Sequence, residues 1–138
     1  MTTFESRIGK IECNDKLVYS FLSDFNNFKG IVPSDKLNDF TSTKDTCSFT
    51  VGPIGKIGLK IIEREPNKLI KISGDESSKF EFFLWIQIKQ VAENDTRVKV
   101  TLKADLNPFI KMMASKPLQQ FVDTLVDKME GFDFNSQN

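Results

Sequence analysis

From Thr46 to Leu106 apolar residues fall on alternate positions, the period of strands with one dry face. Cys47, Phe49 and Val51 share a side of the first run. Ile57, Leu59 and Ile61 share a side of Lys56 to Glu65, and Ile70 and Ile72 a side of Lys68 to Gly74. Lys79 to Val91 is the strongest strand pattern, with Phe80, Phe82, Leu84, Ile86 and Ile88 on one face. Val98, Val100, Leu102, Ala104 and Leu106 then alternate with Arg97, Lys99, Thr101, Lys103 and Asp105. Gly52-Pro53-Ile54-Gly55, Pro66-Asn67, Asp75 to Ser78 and Glu93-Asn94-Asp95 separate the runs with turn residues. The pattern predicts antiparallel strands covered on one side only.

The period changes on both flanks. Thr2 to Cys13 predicts a first strand in which Phe4, Ser6 and Ile8 share a face while Ile11 and Cys13 have the opposite parity. A bulge near Gly9-Lys10, or else a strand end at Gly9, accounts for the flip. Asn14 is an N-cap for a short helix from Asp15, with Val18, Phe21, Leu22 and Phe25 at helical spacing. Asp24 to Asn27 interrupts it, Phe28 to Ile31 predicts a second short turn, and Pro33 stops that. Pro33 to Lys44 is polar, with Leu37 and Phe40 as lone apolar anchors. Asn107 to Phe132 is a long amphipathic segment. Its second part, capped by Ser115 with Pro117 in the first turn, carries the stripe Leu118, Phe121, Val122, Leu125, Val126 and Met129. Gly131 is placed to end it.

The expected fold is therefore α+β: a curved antiparallel sheet of six to seven strands wrapped around a long C-terminal helix, with two short helices after strand one. One domain over residues 1–132 and a frayed tail over 133–138 complete it.

Composition narrows the chemistry. The 138 residues suit a single core. Nineteen basic residues balance nineteen acidic ones, and arginine occurs only at 7, 64 and 97, so no field or guanidinium cluster favours nucleic acid. With no histidine, Ser-His-Asp and Cys-His mechanisms are excluded. Cys13 and Cys47 are too few for a zinc cluster and too far apart for a CxxC pair, and read as apolar core residues of a reducing compartment. No cofactor or metal is expected. The N-terminus lacks a signal peptide's apolar region, and the longest apolar cluster, Phe82 to Ile86, is far short of the roughly 20 residues that span a bilayer. A cytoplasmic protein with no membrane insertion is the expectation. Thirteen phenylalanines against one Trp and one Tyr suit a wide apolar interior.

The run IECNDKLVYSFLSDFNNF resembles the first strand-to-helix joint of a known superfamily, and NPFIKMMASKPLQQFVDTLVDKM resembles its closing helix. That superfamily comprises StAR-related lipid-transfer domains, birch-pollen-type allergens and small polyketide cyclase/dehydrase-like proteins. The resemblance covers about Thr3 to Phe132 and rests on element order. It implies a helix-grip fold with a cavity for lipids, sterols, polyketides or other apolar molecules. Some members are enzymes and some adaptors, with no catalytic residue common to all. Where members often carry Trp just after the first short helix, this chain has Phe25 and Phe28.

An apolar small molecule is accordingly the first expected partner. Phe49, Phe82, Leu84, Ile86, Val100 and Leu102 of the sheet would line its cavity, facing Met113, Phe121, Leu125 and Met129 of the helix. The bland reading is a filled core. Phe28, Ile31, Val32 and Phe40 with the turn at residues 52–55 would form an entrance, or merely a hairpin above a capped core. Phe83 and Trp85, on the nominally wet face, suit a homodimer or adaptor interface, or lie under lysine stems. A cyclase- or dehydratase-type enzyme is the other alternative. It would need a buried carboxylate, with Tyr19 or a Ser/Thr hydroxyl as donor. Glu63, Glu65, Asp75, Glu76 and Glu81 have turn or outward positions that favour solvated charges, and Asp105 sits where the sheet hands over to the helix.

Overall fold

The computed structural model describes residues 1–32, 39–51 and 55–137. Pro33, Leu37 and the turn residues Gly52, Pro53 and Ile54 lie outside the described residues. The elements in order are β1 (Thr2–Glu5), β2 (Gly9–Ile11), α1 (Asp15–Leu22), a 3-10 turn (Phe25–Gly30), β3 (Thr41–Ser42), β4 (Thr46–Val51), β5 (Gly55–Glu65), β6 (Leu69–Gly74), β7 (Phe82–Ala92), β8 (Asp95–Ala104), α2 (Pro108–Gly131) and a closing 3-10 turn (Phe134–Gln137).

The strands form one antiparallel sheet in the order β1-β8-β7-β6-β5-β4-β3, with β2 also paired to β8. The chain meanders from β3 to β8, and β1 and β2 then close the far edge. The sheet does not close on itself, and α2 packs against β1, β2 and β8. This is the helix-grip arrangement. Its core is the face made by Phe49, Leu59, Ile70, Ile72, Leu84, Ile86, Val98 and Val100, against Leu118, Val122, Leu125, Val126 and Met129 of the helix. Each such side chain contributes roughly 1.5–3 kcal/mol on leaving water.

Local chemistry sets the element ends. Asn14 Oδ1 accepts the Leu17 N–H at 2.9 Å, and Asn107 Oδ1 accepts that of Ile110 at 2.8 Å. Asp24 caps the 3-10 turn by accepting from Asn26 N at 2.9 Å, so that turn starts at Phe25, earlier than the pattern predicts. Asn67 and Asn94 turn the hairpins with φ of 64° and 53°, a left-handed conformation that Asn tolerates.

Three expectations need correction. The bulge between β1 and β2 precedes Gly9. Glu5 pairs with Thr101 and Gly9 with Val98, so one strand advances four residues while β8 advances three. Ser6 fixes the extra residue, because its N–H bonds Val100 O and its Oγ accepts from Val100 N, both at 2.9 Å. Ile8, expected inward with Phe4, is in consequence 63% exposed. Second, α2 is continuous from Pro108 to Gly131, with Pro117 inside it instead of near a new start. Pro117 has no N–H for the Met113 carbonyl, and Met112 and Met113 beside it are exposed. Third, fraying does not begin at residue 133. Phe134 is buried, with its ring 5.1 Å from those of Phe21 and Phe132.

Candidate functional site

Between the middle of α2 and the sheet lies a slot lined by Phe49, Val51, Ile57, Leu59, Phe80, Phe82, Leu84, Leu102, Leu118 and Phe121. Its geometry follows from the strand pattern. Cross-strand register sets Leu84 beside Leu102 and Phe49 beside Ile57, all on the inner face. Leu118 and Phe121 are three apart on α2 and face them. Phe82 owes its position to Gly74, where any Cβ would come within 2.5 Å of the Phe82 ring. A side chain at residue 74 would force that ring to shift.

Aromatic rings wall the slot on two sides. Phe40, Phe49 and Phe121 form a run of stacked rings with centroid separations of 6.1 and 5.9 Å. Phe80 leans on Phe82 at 5.7 Å. Phe80 and Phe121 are half-buried at the rim, whereas Phe49, Phe82 and Leu84 are buried. The free volume is about 20 Å³. A cavity needs roughly 10–15 Å³ for one water and polar partners to hold it. This slot offers none, since every lining side chain is apolar. It is an apolar space, far smaller than the roughly 300–1,000 Å³ of ordinary ligand pockets.

The residues singled out in the sequence divide into groups. Phe49, Phe82, Leu84, Leu102 and Phe121 line the slot. Ile86, Val100, Leu125 and Met129 are buried away from the lining, in the main core. Phe28 and Ile31 are buried under the 3-10 turn, where the rings of Phe25 and Phe28 meet edge to face at 4.8 Å. Met113 is 43% exposed. Val51, Ile57, Leu59, Phe80 and Leu118 complete the lining; inner-face parity marked four of them and helical spacing marked Leu118, but neither separates lining from core.

No titratable side chain lines the slot. On the inner face of β4, two residues before Phe49, lies the buried Cys47, where burial and then the Asp75 carboxylate push the thiol up to about 12. Asp75 accepts instead from the N–H and hydroxyl of Ser77, at 2.8 and 2.5 Å. Among the described residues no group of His, Cys, Asp or Glu is arranged to hold a metal ion, and no helix is long and apolar enough to cross a membrane.

On the opposite face of the sheet, the Phe83 and Trp85 rings lie 6.0 Å apart, both half-buried. Lys71 Nζ sits 5.1 Å from the Phe83 centroid and 5.4 Å from that of Trp85, and Lys103 Nζ 5.7 Å from Trp85. Lysine stems from the two neighbouring strands thus cover the aromatic pair by cation–π contact.

No protein-family model matches the sequence, and no curated protein matches it. Solved structures do. The protein XoxI from Bacillus cereus superimposes with a TM-score of 0.73 at 13% identity, over 100% of this chain and 99% of that one. A START superfamily protein from Mycobacterium smegmatis gives 0.64 at 15% identity, over 94% of both chains. A point mutant of norcoclaurine synthase from Thalictrum flavum, solved with a transition-state analogue, gives 0.66 at 9% identity, over 92% of this chain and 94% of that one. At such identities the likeness is one of fold. The chain has the helix-grip fold of the START superfamily protein and norcoclaurine synthase, as its element order implied.

Proposed function

We propose that this protein binds an apolar small molecule in the slot between α2 and the sheet, as a carrier or sensor. The observation that carries the reading is the lining: ten apolar side chains around a dry space, walled by aromatic rings and half-open to solvent at Phe80 and Phe121. The space present is too small for a guest, so entry requires those two rim rings to swing outward and the guest to take their place against Phe49, Phe82, Leu84 and Leu102. Burial of the guest then contributes roughly 25 cal/mol per Å² of apolar surface, less the cost of ordering. A norcoclaurine synthase of this fold was solved with a small molecule bound, a precedent for the fold admitting one. The absence of any carboxylate in the lining favours carriage over acid/base catalysis at this site.

Titration of an environment-sensitive apolar dye, displaced by fatty acids of increasing length, tests the reading. Leu102→Trp fills the slot and should abolish dye binding while the protein still melts cooperatively; Phe121→Ala widens the rim and should strengthen it. Dye binding that both variants leave unchanged would remove the slot from consideration.

A further inference from the structure

The first two turns of α2 carry the least explained side chains of the molecule. Phe109 is 73% exposed, Met112 83% and Met113 43%. They stand at i, i+3 and i+4, so they form one stripe on the helix face turned from the core, continued a turn later by exposed Lys116. Pro108 and Lys111 beside them are exposed too. Of the helix's buried residues only Ala114 precedes Pro117. The segment 108–116 is therefore held to the core chiefly by Ala114 and the partly buried Ile110, and Pro117 removes one backbone bond joining it to the rest of the helix.

We propose that this end of α2 docks the protein on an anionic lipid bilayer. Large flexible apolar side chains flanked by lysines, at a helix end, are the composition of an interfacial anchor. The charge supports the choice of surface. No Asp or Glu occurs between Asp105 and Asp123, whereas Lys111 and Lys116 fall within that span. The helix's amino end adds its own positive potential, with no acidic residue in the first turn to offset it. The patch also fits a membrane better than a second copy of the chain. Even if Met112 and Met113 each buried as much as an aromatic side chain, roughly 150–250 Å², the three with Phe109 would fall short of the roughly 800 Å² per partner of a stable dimer. A two-fold contact would besides set two copies of this lysine-bearing patch, without a carboxylate between residues 105 and 123, against each other. Docking stands independently of any guest in the slot, although Leu118 and Phe121 of the lining follow directly after Pro117 on the same helix.

The test is flotation of the full chain with vesicles of phosphatidylcholine, alone or mixed with phosphatidylglycerol, at low and raised salt. The chain should bind the mixed vesicles, and salt should weaken the binding. The pairs Phe109→Ser/Met112→Ser and Lys111→Glu/Lys116→Glu should each lower partitioning by about tenfold or more with unchanged melting, because all four residues are exposed. As a second readout, a polarity-sensitive dye on Met112→Cys should shift to the blue with mixed vesicles; Cys13 and Cys47 are buried, which directs the label. Failure to bind mixed vesicles, equal binding by both variant pairs, or a dye that does not respond would overturn the proposal. So would a solution dimer that Phe109→Ser/Met112→Ser converts to monomer, which would assign the patch to a second copy.

Discussion

Residue 9 shows how little room this fold leaves at its seam. A Cβ on Gly9 would come within 2.6 Å of Val126 Cγ1 and 3.3 Å of the Glu130 and Val98 side chains. The glycine is there because β2 and α2 touch backbone to side chain. Gly9→Val should cost about 1–3 kcal/mol or more, read as a lowered denaturation midpoint; unaltered stability would mean the helix has room to move away. The cysteines make a second prediction at this scale. Burial raises the Cys13 thiol and takes Cys47 to about 12, so both stay protonated near neutral pH. Neither should react with a thiol reagent at about pH 8 until denaturant is added, and rapid labelling of the native protein would contradict the packing.

At the scale of elements, α2 is two things in one helix. After Pro117 it is a core stripe. Leu125→Asp buries a charge in that stripe and should unfold the domain, seen by circular dichroism as loss of the cooperative melt. A mutant with the parent melting temperature would show that the stripe is misassigned. The closing 3-10 turn is an element that amphipathic pattern alone does not reveal, because one aromatic residue, Phe134, anchors it. That ring fills a space between Phe21 of α1 and Phe132. Phe134→Ala should cost about 3 kcal/mol, whereas a loss of less than a few tenths would mean the turn contributes nothing to the core.

At the scale of the molecule, the N-terminal strand pair and the last helix are tied at their exposed ends. Arg7 pairs with both Asp127 and Glu130, and Glu130 Oε2 accepts the Lys10 N–H at 2.7 Å. The Arg7 guanidinium, then the Lys10 N–H, lower the Glu130 carboxyl below its ordinary 4.5. A depressed carboxyl stabilises the folded state above the unfolded value and loses that contribution as pH falls through the folded one. The pair is largely solvated, so the effect is under about 1 kcal/mol. Wild type and Glu130→Gln should differ in urea stability at about pH 7 and converge by about pH 3; a constant gap would assign the glutamate a packing role alone.

Element order was legible in the chain because each inward face needs its own period. Phe82, Leu84, Ile86 and Ile88 had to alternate to bury one side of β7, and Asn14 had to be a cap because the first helical N–H groups need acceptors, whereas the pattern put a cap at Ser115 and the structure puts that of α2 at Asn107. The slot was half legible. Phe49, Phe82, Leu84, Leu102 and Phe121 could be named, but parity treats Ile86 and Val100 identically, and only the path of α2 across the sheet separates lining from core. Met113 and Ile8 carried the right chemistry for burial. Met113 is exposed because α2 runs unbroken through Pro117, which puts residue 113 on the face turned from the stripe of Ala114, Leu118 and Val122, and Ile8 because of an extra residue at Ser6. The chain by itself determined which side chains turn inward, through backbone periodicity and hydrogen-bonding need. How far the helix sits from the sheet, and hence how small the slot is and which apolar side chains stay in water, was decided only by tertiary packing, because that distance is set by contacts such as Gly9 against Val126 between residues more than a hundred positions apart.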